Sequence, residues 1–257
     1  MAKIGIIGFG VVGKAVAHGF VSCHEVRIYD KYKDKYDTLE DTVNFSDYIF
    51  VTVPTPTSSE GEQDLSYLDN AIGNITRVAN SRKVIVIKST VLPGTTQKYA
   101  SRYSEHDFVV NPEFLTEANS VKDFEESYRV ILGGGGGVNE VAEIYEERFP
   151  GIKVFKTNLC GAELFKYISN CFLAVKVSFL NEIYALAQEN GIAYNEIRDM
   201  FLSDKRIGQS HVNVPGPDGQ FGYGGSCFPK DIKAFIKWGD SEICKAAEKV
   251  NNRVRGK

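Results

Sequence analysis

The chain has 257 residues, 43% hydrophobic and 25% charged, with a formal net charge of −3. This is the mixture of a globule of one large or two modest domains, and it excludes bulk disorder. Without a basic cluster, nucleic acid is a poor partner. No apolar run approaches the ~20 residues that cross a bilayer, and the glycine-punctuated opening is unlike a signal peptide. Cys23, Cys160, Cys171, Cys227 and Cys244 are an odd set with no CxxC pair. They make neither a complete disulfide framework nor a compact zinc site, so no metal is expected and a reducing cytoplasm is the inferred location.

In chain order, short apolar runs alternate with helical patterns. Strands are expected at residues 3–8, 25–30, 48–53, 83–88, 108–111, 129–132 and 153–155, with helices at 11–21, 65–80, 95–103 and 139–148. Such alternation predicts an α/β fold, a Rossmann-type doubly wound and largely parallel sheet, over residues 1–157. Gly133 to Gly137 lacks a following Lys-Ser or Lys-Thr and reads as a strand-end loop. From residue 159 to 190 there is no proline and apolar residues recur at helical spacing, predicting one helix of ~45 Å. A helix at 194–202, a proline- and glycine-rich loop at 213–225 and a helix at 241–253 complete a helical domain over 158–257. An apolar stripe on so long a helix predicts a homodimer interface.

Gly8, Gly10 and Gly13 form GxGxxG between the first strand and first helix, and Asp30 ends the second strand. In that context the glycines permit a tight turn and close approach of pyrophosphate to a helix N-terminus. Asp30 can accept the ribose hydroxyls of NAD and repel a 2′-phosphate, although Lys31, Lys33 and Lys35 crowd it. The loops Val53-Pro54-Thr55-Pro56 and Lys88-Ser89-Thr90 follow later strands and are expected to line the same crevice.

Other segments carry chemistry. Cys227 sits in Phe221-Gly222-Tyr223-Gly224-Gly225-Ser226-Cys227-Phe228-Pro229-Lys230-Asp231, where a flexible glycine-rich approach and a neighbouring lysine suit a nucleophile. The other four cysteines read as buried and inert. Lys166 and Asn170 are four apart, so they share a helix face and could donate to one developing oxyanion. Glu113 and Glu117 follow a strand end, where sites in open sheets collect. Taken singly, such acids and such a pair are more often solvated surface.

Together these segments resemble the UDP-glucose/GDP-mannose 6-dehydrogenase family from Ile4 to about Arg253, most specifically in the Cys227 stretch. Asn111-Pro112-Glu113-Phe114-Leu115-Thr116-Glu117 and Glu163-Leu164-Phe165-Lys166-Tyr167-Ile168-Ser169-Asn170 add support. The resemblance implies NAD-dependent, four-electron oxidation of a nucleotide sugar, UDP-glucose first among them, at its C6 alcohol. It implies Cys227 as nucleophile, Lys166 and Asn170 on the C6 oxygen, and Asp231 supporting Lys166 and a water. Glu113 and Thr90 would position that water. The cofactor would meet Gly8, Gly10, Val11, Val12, Gly13, Asp30, Lys35, Val53, Pro54, Thr55, Ser89, Thr90, Glu117 and Lys230. The sugar nucleotide would meet Phe114, Leu115, Thr116, Glu117, Lys166 and Asn170, together with Phe221, Gly222, Tyr223, Gly224 and Gly225.

Family members continue into a second Rossmann-like domain that would begin where this sequence stops at Lys257. The arginine which that domain supplies has no counterpart among these residues, so a self-associating chain or a partner is expected to complete the substrate site. Two competing readings are a 3-hydroxyacid or 6-phosphogluconate-type dehydrogenase, which needs no cysteine, and a catalytically silent module that binds NAD or sugar nucleotides.

Overall fold

The computed structural model describes residues 1–256. Two compact units result: residues 1–56 with 63–166, and residues 57–62 with 167 onward.

The first unit is built on β1 (Lys3–Ile7), β2 (Glu25–Tyr29), β3 (Tyr48–Val51), β4 (Val84–Ile87), β5 (Asp107–Val110), β6 (Arg129–Gly134) and β7 (Lys153–Thr157). They form one sheet in the order β2-β1-β3-β4-β5-β6-β7. Around it lie α1 (Val11–Phe20), α2 (Leu39–Phe45), α3 (Ser66–Val78), α4 (Thr95–Arg102), α5 (Ser120–Glu125) and α6 (Val138–Arg148). Successive side chains of a strand face opposite ways, which separates two cores. Ile4, Ile6, Phe50, Val84 and Val86 join Val16 and Phe20 on one side. Ile7, Ile49, Val51, Ile85 and Ile87 join Leu68, Ile72 and Ile75 on the other. The Val-Ile-Val-Ile run of β4 is apolar throughout because both its faces are covered. β1 pairs in parallel with both β2 and β3, so the strand order reverses beside it and opens a crevice at its carboxyl end.

The sheet is largely parallel, as expected, with one antiparallel pair, while three helices were not expected. β6 runs antiparallel to β5, and the connection between them, residues 111–128, carries only the short helix α5. α2, α5 and a helix after Cys227 were not legible. α2 has seven residues, too few for a period to show, and forms around the Thr38 cap, whose hydroxyl accepts from Asp41 N. Gly133 to Gly137 closes β6 and leads into α6, as a strand-end loop.

α7 (Leu159–Glu189) is a 31-residue helix that begins in the first unit and continues into the second. α8 (Tyr194–Ser203), α9 (Phe228–Gly239) and α10 (Glu242–Val254) follow. Pro229 lies in the first turn of α9, where its missing N–H costs nothing. The core of the second unit gathers Cys171, Ala174, Tyr223, Ile232, Cys244 and Ala247. Along α7, Phe172 is 67% exposed, Phe179 51% and Leu186 53%, each seven residues from the next. No helix among the described residues is long and apolar enough to cross a membrane.

Candidate functional site

At the carboxyl end of β1 a cavity of about 660 Å³ is lined by Gly8, Phe9, Gly10, Asp30, Lys33, Val53 and Pro54, among others. A Cβ on Gly13 would collide with the Gly8 carbonyl oxygen and sit 2.8 Å from Thr52 Oγ1, so only glycine lets α1 start this close to the strand. Asp30 Oδ2 accepts from Phe9 N at 2.7 Å and Oδ1 from Tyr32 N at 3.0 Å. Burial would raise the Asp30 carboxyl, but these N–H groups and Lys33 hold it below its ordinary value. It is thus a fixed anion facing the glycine turn. Of the three neighbouring lysines only Lys33 pairs with it, at 3.4 Å, while also donating to the Phe9 carbonyl at 2.6 Å. Lys35 extends over the Tyr36 ring instead and does not line the cavity.

Val11, Val12 and Gly13 open α1 behind the turn. The remaining loops of the crevice are tied together: Thr55 Oγ1 donates to Thr90 O at 2.7 Å and Ser89 Oγ to Val53 O at 2.7 Å. Tyr67, Asn70 and Asn74 of α3 also line the cavity. Sequence reasoning missed them because nothing in a helix pattern marks which polar face meets a ligand. A cradle that one methyl group would fill, an anchored carboxylate and a helix N-terminus together fit a dinucleotide.

In the same unit Glu113 and Lys166 form a buried ion pair. Lys166 Nζ donates to Glu113 Oε1 at 3.0 Å and to its carbonyl oxygen at 2.5 Å, and lies 5.2 Å from the Phe114 ring centre. Burial would raise the Glu113 carboxyl, yet the Lys166 ammonium, the Leu115 N–H and Lys88 hold it below the ordinary range. Glu113 Oε2 accepts from Leu115 N at 2.8 Å, and Thr116 is held by Asp123, so this loop is pinned on both sides. Beneath it lies Lys88, fully buried, donating to Asn111 Oδ1 at 2.9 Å and reaching Tyr145 Oη at 3.4 Å. Burial pulls its ammonium down to about 7, against the attraction of Glu113 and with the repulsion of Lys166. Its place as the polar end of an apolar strand was the signal in the sequence. Glu163, three residues before Lys166, accepts from Gly94 N at 2.6 Å and Thr96 N at 2.8 Å. The start of α7 is thereby fastened to the start of α4.

In the second unit Asn170 Nδ2 donates to Asp231 Oδ2 at 2.6 Å, and Lys230 pairs with the other oxygen of Asp231. Asp231 is buried, whereas Cys227 stands exposed at the N-terminus of α9 with its carbonyl oxygen accepting from Asp231 N at 2.9 Å. That helix end favours negative charge beside it. The loop before Cys227 is not a free glycine tether: Gly222 N and Tyr223 N are bonded to buried asparagines. Cys171 and Cys244 are buried, and burial pushes the Cys171 thiol up, as befits inert cysteines. Cys160 is exposed rather than buried, since it lies on the outward side of the first turn of α7. Glu117 is placed in the first unit, Phe221 to Gly225 in the second.

A strand-order reversal at a glycine turn, an acidic end to β2 and a helical unit carrying a thiol define a dinucleotide-dependent dehydrogenase class of fold. Residues 25–149 match the NAD binding domain of the UDP-glucose/GDP-mannose dehydrogenase family, and residues 161–253 its central domain. The chain belongs to that family, and NAD is the cofactor of its N-terminal unit. It is 39% identical over 195 residues to a UDP-glucose 6-dehydrogenase of Rickettsia prowazekii, an overlap covering 73% of this chain and 44% of the relative. The chain thus spans about half the length of the curated relatives it matches. A UDP-glucose dehydrogenase structure from Pyrobaculum islandicum superimposes with a TM-score of 0.86 at 29% identity, over 98% of this chain and 68% of that one. A Mycobacterium tuberculosis 3-hydroxyisobutyrate dehydrogenase superimposes with a TM-score of 0.80 at 15% identity, over 98% and 93%, and shares the fold.

Proposed function

We propose that this chain carries the NAD-binding and thiol-bearing parts of an enzyme that oxidises the C6 alcohol of a nucleotide sugar, UDP-glucose foremost, to the carboxylate. The observation that carries the reading is Cys227, exposed at the start of α9 and one turn before a buried Asp231 that is bonded to Asn170. A thiol is needed only where an aldehyde must be captured and oxidised again.

NAD, when bound, would supply the hydride acceptor for C6, one molecule for each of two successive oxidations. Gly8, Gly10 and Gly13 with Val11 and Val12 would hold its pyrophosphate, and Asp30 its ribose. Val53, Pro54, Thr55, Ser89 and Thr90 would flank the nicotinamide end. Lys166 and Asn170 would donate to the C6 oxygen as charge develops there. Cys227 Sγ would add to the aldehyde to form a thiohemiacetal; loss of the second hydride leaves a thioester. Water held by Glu113, Thr90 and Asp231 would then cleave the C–S bond, releasing the acid and returning the thiol. Phe114 to Glu117 and Phe221 to Gly225 would enclose the sugar nucleotide. A second copy of the chain would pack along α7, through Phe172, Phe179 and Leu186. A free thiol nucleophile suits the reducing cytoplasm.

The test is a panel of nucleotide sugars, counting NADH formed per sugar and identifying the product by mass spectrometry. Two NADH and a uronic acid are expected. One NADH and no acid would favour single-step 3-hydroxyacid-type chemistry, and none a binding module.

A further inference from the structure

The loop that leads to Cys227 is held by side chains with no assigned role. Gly222 N donates to Asn181 Oδ1 of α7 at 2.9 Å, and the next amide, Tyr223 N, donates to Asn251 Oδ1 of α10 at 2.7 Å. Both asparagines are buried. Arg255 adds a third point, donating from Nη2 to Asp218 Oδ2 at 2.7 Å and to Gly222 O at 3.4 Å. The approach is close enough to dictate the glycines. A Cβ on Gly222, whose φ is +70°, would collide with Asn251 Oδ1, and one on Gly224 would lie 2.7 Å from the Arg255 guanidinium nitrogens. The two helices are themselves joined where Ser178 Oγ donates to Ala247 O at 2.8 Å.

We propose that Asn251 is a positioning residue for Cys227, acting with Asn181 and Arg255 as a clamp that takes consecutive backbone groups of the loop and fixes where the thiol stands. The chemistry favours this over mere packing. Two amide oxygens from two helices accept successive N–H groups, an arrangement that sets the direction of the chain as well as its position. Only three residues separate Tyr223 from Cys227, so a rotation of the loop there moves the sulfur. The inference rests on the reading of Cys227 as the nucleophile, but its test does not need the dehydrogenase reaction.

The test is site-resolved alkylation of the 257-residue chain by iodoacetamide at pH 7, followed by mass spectrometry, with exposed Cys160 as the internal reference. In Asn251→Leu the Cys227:Cys160 rate ratio should fall at least about fivefold, the shift that loss of one buried hydrogen bond permits. Asn251→Asp retains an accepting oxygen and should restore most of the ratio. Circular dichroism checks that each variant folds; if Asn251→Leu does not, Arg255→Met supplies the same comparison. An unchanged ratio in a folded variant, or Asn251→Asp as impaired as Asn251→Leu, would overturn the proposal. If the ratio responds as expected while wild-type protein yields no NADH from any sugar nucleotide, the clamp stands and the reading that this chain oxidises sugar nucleotides on its own falls.

Discussion

In the proposed reaction Cys227 and the buried pair Glu113–Lys166 are the residues on which the chemistry would turn, and each makes a separate prediction. Cys227→Ser should abolish acid formation, because a hydroxyl is too weak a nucleophile to form the acyl intermediate. NAD affinity should be unchanged, since the glycine turn belongs to the first unit; product analysis and calorimetric titration read the two halves. Glu113→Gln leaves the buried Lys166 ammonium unpaired and should cost about 3 kcal/mol at pH 7, read from urea unfolding. Since the folded carboxyl titrates below its ordinary 4.5, its contribution is present above that value and is lost as pH falls through the lower folded value. The gap between variant and wild type should therefore close in acid. Lys88 has the opposite sign. Its folded ammonium titrates at about 7 against 10.5 when unfolded, so between those values the unfolded chain holds the extra proton. Wild-type stability should rise from pH 7 to 9, by on the order of 2 kcal/mol, and Lys88→Met should lack the rise. A flat wild-type profile would show that Lys88 stays charged in its network.

At the scale of elements, the glycine turn illustrates how a local motif depends on its neighbours. GxGxxG and the acid ending β2 were legible from spacing alone. That Gly13 must be glycine follows from the Gly8 carbonyl and Thr52 lying where a Cβ would go. Gly13→Ala should weaken NAD binding about tenfold or more, since the backbone must shift to admit the methyl group. Unaltered affinity by calorimetry would mean that the turn accommodates the group without moving the cofactor. The α7 pattern was equally visible, as a run of helical spacing without proline. The reversal at β6 was not, because strand direction depends on where the preceding connection ends rather than on the residues of the strand itself.

Over the whole molecule, α7 leaves Phe172, Phe179 and Leu186 uncovered within one copy. Their seven-residue spacing keeps them on one side of the helix and suits a partner helix. Light scattering should report a dimer, and Phe172→Glu with Phe179→Glu should convert it to a monomer with NAD affinity intact. A wild-type monomer at micromolar concentration would remove the second copy from the proposal.

Periodicity, glycine spacing and the order of short motifs are local properties. They were enough to read the Rossmann unit, the long helix and the family, and to propose Asp30, Lys166, Asn170 and Cys227 as site residues. Which groups meet is a long-range matter. The pairing of Lys166 with Glu113, the Lys88–Asn111–Tyr145 network and the bonding of Asn170 to Asp231 join residues 23 to 61 positions apart in the chain. The asparagines that hold the Cys227 loop look like ordinary helix residues until folding brings α7 and α10 beside it. Burial decides the rest: the same lysine or carboxylate is a solvated charge in an isolated strand end and a shifted, paired group once the sheet has closed over it.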